Sequence, residues 1–324
     1  MNSQKPSPNN RRRFFALAAG TCGAWVTSCS RQSGMRKFSQ SSKALGAKVT
    51  MTAVHTDEPT ANAALGAAFA ELERIESVMS LYRSESQISR LNRDGLLENP
   101  DALLVEVLRF AAEVAKKSGG AFDVTVQPLW ALKGAQPDAA TLALVDWRKL
   151  ELEEKRIKLA PGMAITLNGI AQGFAADAAM RVMRAHGIEN ALIDAGEFSA
   201  HGNNAENAPW SIGIQHPRER DAFAALTRLE NRCLATSGDY ETAFSDDFSR
   251  HHILDPRSGE SPGELASVSV LALTAMAADA LSTALFVLGA KRGMEFLRHY
   301  TNTDALLILK DGRRMATAGF TLAA

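Results

Sequence analysis

The chain has 324 residues, room for one large domain or two ordinary ones, and its 46% hydrophobic and 22% charged side chains exclude a disordered protein. Thirty-six basic side chains against 36 acidic ones give a formal net charge of zero, so there is no electrostatic footprint for a nucleic acid.

The N-terminus reads as a targeting segment, to be set aside from the fold. Residues 10–15, "NRRRFF", are followed by an uncharged run from Phe14 to Val26, then by "VTSC" ending at Cys29. The run is too short for a bilayer span, which takes about 20 apolar residues. The segment resembles a twin-arginine export signal closed by a lipobox. That implies cleavage after residue 28, lipid on Cys29 and a periplasmic, membrane-anchored protein. A twin-arginine signal without lipidation and a plain basic tail are the alternatives. Removal of residues 1–28 takes away Lys5, Arg11, Arg12 and Arg13 but no acid, so the mature chain is net negative. It would keep Cys233 as its one free thiol, without an internal disulfide, and must be stable through its core.

Residues 29–44, polar and Ser-rich, read as a tether. From residue 45 the chain reads as body. "KVTMTAVH" alternates as a strand, residues 60–79 form an amphipathic helix, and "LYRSESQISRLNRDG" is turn-rich. Residues 101–118 are a second helix, stopped by Gly119-Gly120. "TLNGIAQGFAADAAMRVMRAHGIENALIDAG", residues 166–196, predicts strand, glycine-bearing loop, helix and strand. "WSIGIQ", "ALTRLENRCLAT" and "SVSVLAL" are further strands. "AMAADALSTALFVLG" is a helix ended by Gly289, "KRGMEFLRHY" a shorter one, and "LLILKDGRRMATA" a hairpin turning at Asp311-Gly312. This irregular alternation predicts an α+β body with mixed or antiparallel sheets and packed helices.

Several positions could carry chemistry. Asp279 lies on an almost wholly apolar helix, where a carboxylate is costly unless paired. Thr283, four residues on, shares its face, and two oxygens there suit a hard cation; a solvated edge or a bond to a nearby amide is the alternative. His251 and His252 are adjacent, so on a strand they point to opposite faces and do not form a joint zinc site. His252 is a base, a substrate contact or a structural residue. Asp123 and Thr125 follow two glycines, as a ligand loop or as a cap. Thr236, Ser237 and Asp239 surround Gly238 in a turn that could cap a helix, and Tyr82 could stack on a flat ring. Gly169 and Gly173 have neither the G-x-G-x-x-G nor the G-K-[ST] spacing of nucleotide loops, and there is no G-x-S-x-G elbow.

In order, "MSLYRSESQISRLN", "SGGAFDVTVQPL", "LNGIAQGFAADAAMRVMRAHGIENALIDAGE", "ATSGDY", "HILDPRSG" and "SVSVLALTAMAADALSTALFVLG" resemble the bacterial ApbE family, from about Leu45 to the C-terminus. The resemblance implies a single, compact, T-fold-like transferase domain over residues 45–324. It implies an FAD:protein FMN transferase that uses Mg²⁺, takes FAD as substrate, passes FMN to a threonine or serine of a partner flavoprotein and releases AMP. An FAD pyrophosphatase, or a non-catalytic FAD-binding lipoprotein, is the alternative. By the same resemblance the metal ligands are Asp279, Thr283 and the carbonyl of Gly169. Tyr82 packs on the flavin, while Gly120, Ala121 and Phe122 line the FAD pocket. His252 and Asp255 lie by the phosphates or the flavin, with His252 and Asp279 as catalytic residues. Thr166 and Gln172 fall at FAD-contact positions where members commonly carry charge, and Glu197 where many have a small residue. "LNGIAQG" resembles the branch linked to nitrous-oxide reductase maturation.

Overall fold

A computed structural model describes residues 34–322. The predicted signal and Cys29 lie outside the described residues. The chain opens with an antiparallel hairpin of β1 (Arg36–Ala44) and β2 (Ala47–His55), then α1 (Glu58–Met79), α2 (Gln87–Asp94), β3 (Leu96–Glu98) and α3 (Ala102–Ser118). Short pieces follow: α4 (Gln127–Ala131), α5 (Ala139–Leu142), β4 (Glu151–Leu152) and β5 (Arg156–Lys158). The second half holds α6 (Ala171–Ala185), β6 (Ala191–Asp194), β7 (Phe198–His201), β8 (Trp210–Gln215), β9 (Phe223–Leu229) and β10 (Cys233–Gly238). It closes with β11 (Leu265–Ala272), α7 (Ala275–Leu297), β12 (Asp304–Leu309) and β13 (Arg314–Ala316).

Eight strands form one antiparallel sheet in the order β1-β2-β6-β7-β10-β11-β12-β13. Side chains alternate across it, because the strand period is two. Met51, Ile193, Val268 and Leu307 join the larger core beneath α1, α3, α6 and α7. Val54, Leu192, Leu271 and Leu306 point the other way, into a smaller core roofed by Trp210, Ile212 and Ile214 of the β8–β9 hairpin. β11 is buried along its whole length, which is why its sequence is apolar with only small serines between. The predicted α+β body with packed helices is the observed one. No described helix is long and apolar enough to cross a membrane.

Three expectations change. The tether reading of residues 29–44 fails for its larger part: residues 36–44 are the edge strand β1, paired with β2 through its full length. Leu45 and Gly46, at φ 51° and 74°, make a two-residue turn of the kind that joins twisted strands. An edge strand keeps much of its surface in water, so its serines cost little, and Ser39 and Ser41 meet the hydroxyls of Thr52 and Thr50 at 2.9 Å. The turn-rich stretch after residue 80 contains α2, capped by Ser86, whose hydroxyl accepts from Ser89 N at 3.1 Å. The strand expected at Thr166 is absent; that segment joins no sheet. The helix break at Gly289 is present: φ 76° and ψ 178° interrupt α7, and Glu264 Oε2 accepts the amide of Ala290 at 3.1 Å.

If residues 34–44 belong to the fold, their deletion should expose the edge of β2, lower the urea midpoint and produce oligomers in sedimentation velocity. A tether would leave both measurements unchanged.

Candidate active site

A cleft opens where several loops meet the first half of α7. Of the residues singled out in the sequence, Ala121, Phe122, Thr166, Gly169, His252, Asp279 and Thr283 line it together. Far apart in sequence, they are brought together by α6 and α7.

The first turn of α6 lies directly against the first turn of α7. At Gly173 a Cβ would collide with the carbonyl of Ala275 and the amide of Met276, so only glycine permits this approach. Two carboxylates cross the junction in opposite directions. Asp279 Oδ2, on α7, accepts the amide of Gly173 at 3.1 Å. Asp177, on α6, accepts the amides of Ala275 and Met276 at 2.8 and 2.9 Å. Each helix thus satisfies orphan N–H groups of the other, at the end where a helix dipole favours negative charge. The buried Asp279 therefore bonds a nearby amide and also lines the cleft.

Thr283, one turn on, is met by Ser237 Oγ at 3.2 Å, and Ser237 also bonds Ser282 at 2.8 Å. A Cβ on Gly169 would come within 3.0 Å of Thr283 Oγ1, so the backbone of Gly169 sits on that hydroxyl. The approach to Gly169 is held from a distance. Asn92 Oδ1 accepts the amide of Ile165 at 2.7 Å and its Nδ2 donates to the Ile165 carbonyl at 2.8 Å, while Thr166 N donates to Val124 O at 2.8 Å.

Phe122 enters the cleft from the turn after α3, where Gly119 is left-handed and Ser118 Oγ accepts the Phe122 amide at 3.1 Å. Asp123 is a cap: it accepts from Thr125 N, Thr125 Oγ1 and Trp147 N at 2.8, 2.7 and 3.0 Å. Burial raises its pKa against the pull of those bonds. The two histidines diverge as predicted. His251 is buried edge-on to Phe286, with Nε2 3.1 Å from the carbonyl of Pro262, and burial lowers its pKa. His252 faces the cleft, with Nδ1 3.3 Å from the Thr242 carbonyl.

Four other positions do not line the cleft. Tyr82 is 82% exposed in the turn after α1. Gly120 lies beside Trp147, and Gln172 sits in the first turn of α6. Asp255 binds Arg257 through both carboxylate oxygens, at 2.7 and 2.6 Å, and shapes the turn whose neighbours Leu254 and Pro256 do line the cleft. Asp239 caps no helix. It is fully buried, bidentate with Arg218 at 2.7 and 2.8 Å and 3.5 Å from Lys310, whose Nζ donates to Phe248 O at 2.6 Å. That network secures the loop carrying His252.

Asp123, Glu197, Thr236 and Ser237, noted in the sequence without an assigned site role, line the cleft as well. Ser237 needed the strand register to be seen. Glu197 is buried in the turn between β6 and β7, where its Oε2 accepts the amide of Thr236 at 3.2 Å, beyond the short β7–β10 ladder. Its signal was an acid directly after an apolar strand. The cleft is therefore lined by three carboxylates, Asp123, Glu197 and Asp279, and by no lysine or arginine. Among the described residues no three His, Cys, Asp or Glu side chains cluster as a metal site. The Asp279 carboxylate and the Thr283 hydroxyl, with the backbone of Gly169 beside that hydroxyl, are hard oxygens of the type that Mg²⁺ takes, and unlike a zinc set.

The ApbE family model matches residues 45–307. The chain belongs to the ApbE family. Among its relatives is a protein of Treponema pallidum named FAD:protein FMN transferase, 33% identical, with 95% of this chain and 93% of the relative covered. One of the same name from Haemophilus influenzae is 33% identical over 76% of this chain and 78% of its own length. Among solved structures, the flavin transferase ApbE of Vibrio cholerae has a TM-score of 0.77 at 27% identity, covering 88% of this chain and 98% of that one. The flavinyl transferase ApbE of Pseudomonas stutzeri, in its apo form, has a TM-score of 0.77 at 29% identity, covering 87% and 94%.

Two outcomes follow from the ApbE helix junction. Gly173→Ala forces a methyl into the backbone of α7 and should cost about 2–3 kcal/mol in urea unfolding. Asp177, at 3.9 Å from the Cys233 thiol, is pushed by burial to about 6 despite its amide bonds. A carboxyl that holds its proton more tightly folded than unfolded adds stability in acid. That stability should fall as pH rises from about 4 through about 6, and the slope should vanish in Asp177→Asn.

Proposed function

We propose that the protein transfers FMN from FAD to a threonine or serine hydroxyl of a partner flavoprotein and releases AMP. The observation that carries this reading is a cleft with three carboxylates and no lysine or arginine, in a family whose named relatives are FAD:protein FMN transferases. A diphosphate could not enter such a cleft by charge alone, so a cation has to accompany it.

Asp279, Thr283 and the carbonyl of Gly169 would hold Mg²⁺, which when bound neutralises phosphate oxygens and polarises the phosphorus they surround. The protein's own residues do the rest. Asp279 is fixed by Gly173 and Thr283 by Ser237, so the donors are set before substrate arrives. Phe122 and Ala121 bound the space for the flavin-bearing part. In the tautomer whose Nδ1–H donates to the Thr242 carbonyl, His252 presents the lone pair of Nε2. The acceptor oxygen attacks the FMN phosphorus, its proton passes to His252, and the bond to the bridging oxygen breaks with AMP as leaving group. Water in place of the acceptor would give free FMN and AMP. The export signal adds the location: we place the mature protein in the periplasm, exported by the twin-arginine route and held by lipid on Cys29.

The test incubates purified protein with FAD, Mg²⁺ and a candidate acceptor domain. Flavin fluorescence fixed to the acceptor in a denaturing gel, with AMP in solution, supports transfer. AMP with free FMN supports hydrolysis, and intact FAD after long incubation overturns both. Asp279→Ala should lose at least about a hundredfold in turnover, and Thr283→Val about tenfold or more.

A further inference from the structure

The helix that carries Asp279 and Thr283 is capped by Thr274, which satisfies only part of its open end. Thr274 Oγ1 accepts one amide, that of Ala277, at 3.2 Å. The amides of Ala275 and Met276 point out of the helix end, and both go to Asp177, one to each carboxylate oxygen. Asp177 lies on α6, one turn beyond Gly173, whose amide is held by Asp279. The two bonds of Asp177 and the one of Asp279 therefore form a closed circuit around the contact of Gly173 with Ala275. A helix clamped at its first turn by two bonds of fixed direction can neither slide along its axis nor rotate about it. Asp279 and Thr283 sit one and two turns further along that rigid rod.

We infer that Asp177 is a positioning residue for the cation site, setting the height and rotation of α7 that bring Asp279 and Thr283 against Gly169. The inference rests on the cation reading given above. Asp177 itself donates nothing to the cleft and does not line it. Its carboxylate is held in turn by the Cys233 thiol at 3.9 Å on β10, the strand whose Thr236 amide Glu197 accepts. The clamp thus spans α6, α7 and the sheet strand that supplies Ser237. A substitution that spares the fold but loses one amide bond should let α7 shift, and the cation should bind less tightly. Loss of such an outer partner typically weakens a metal site about 10- to 100-fold.

The test measures Mn²⁺ binding to the full chain without FAD, by the fall of the free-ion signal in electron paramagnetic resonance. Wild type, Asp279→Ala, Asp177→Asn and Asp177→Glu are compared, with circular dichroism to confirm folding. In Asp177→Asn the side-chain nitrogen, a donor, replaces one of the two accepting oxygens, so one amide bond is lost while shape is kept. The expected result is saturable Mn²⁺ binding in wild type, loss in Asp279→Ala, and a Kd raised about tenfold in folded Asp177→Asn. Wild-type affinity in folded Asp177→Asn, even with a lowered Tm, overturns the inference and leaves the cation reading intact. Equal, weak binding by wild type and Asp279→Ala overturns the cation reading and this inference with it. Where Asp177→Asn does not fold, Asp177→Glu decides, since it keeps both accepting oxygens but displaces them by one methylene: a raised Kd supports the clamp, and an unchanged Kd overturns it.

Discussion

The architecture depends on one steric fact, the absence of a side chain at Gly173. Two helices of an antiparallel α+β fold approach until backbone touches backbone, and their exposed amides would then be buried without partners. A carboxylate from each helix answers the need of the other. The arrangement is stabilising at the junction and costly in desolvation, which is why the Asp177 carboxyl is pushed up to about 6. The same burial pushes the neighbouring Cys233 thiol up to about 12, so it stays an unreactive thiol at neutral pH. Charge is concentrated where the cleft begins, and the cleft inherits it.

That inheritance gives the site its chemical character. Most phosphate sites offer positive charge from lysine, arginine or a glycine-rich run of amides. Here the lining is acidic, and a polyanion is repelled unless a cation comes with it. On the proposed reading, specificity lies in a pairing of ion and substrate, each needed by the other. The groups proposed to hold the cation are each bonded elsewhere: the Asp279 carboxylate to Gly173, the Thr283 hydroxyl to Ser237, the segment before Gly169 to Asn92 through Ile165.

Much of this was legible in the sequence. The helices at 58–79, 102–118 and 275–297, the break at Gly289 and the final hairpin carry strong local signals of periodicity, capping and turn chemistry. Asp279 stood out because one acid on an apolar helix needs a reason. What was not legible depends on long-range pairing. β1 looked like a tether because an edge strand needs few apolar residues. The strand at Thr166 did not form, since its amide goes to Val124 and Asn92 holds the residue before it, 73 positions away in sequence. Asp123 reads as a ligand loop or a cap, Asp239 as part of a turn that could cap a helix, and Asp255 as a site residue through the resemblance. In the fold each spends its carboxylate on local amides, a hydroxyl or an arginine, and two of the three take part in holding cleft loops in place. Turn-forming and ligand-binding aspartates look the same until their partners are known.

The edge strand also bears on where the enzyme can work. With residues 36–44 inside the sheet, only residues 30–35 would separate the proposed anchor at Cys29 from the folded body. Even fully extended, a segment of that length reaches about 20 Å. On the proposed anchoring, a protein on so short a leash would work within roughly its own radius of the lipid surface, and an acceptor would have to present its hydroxyl close to the membrane.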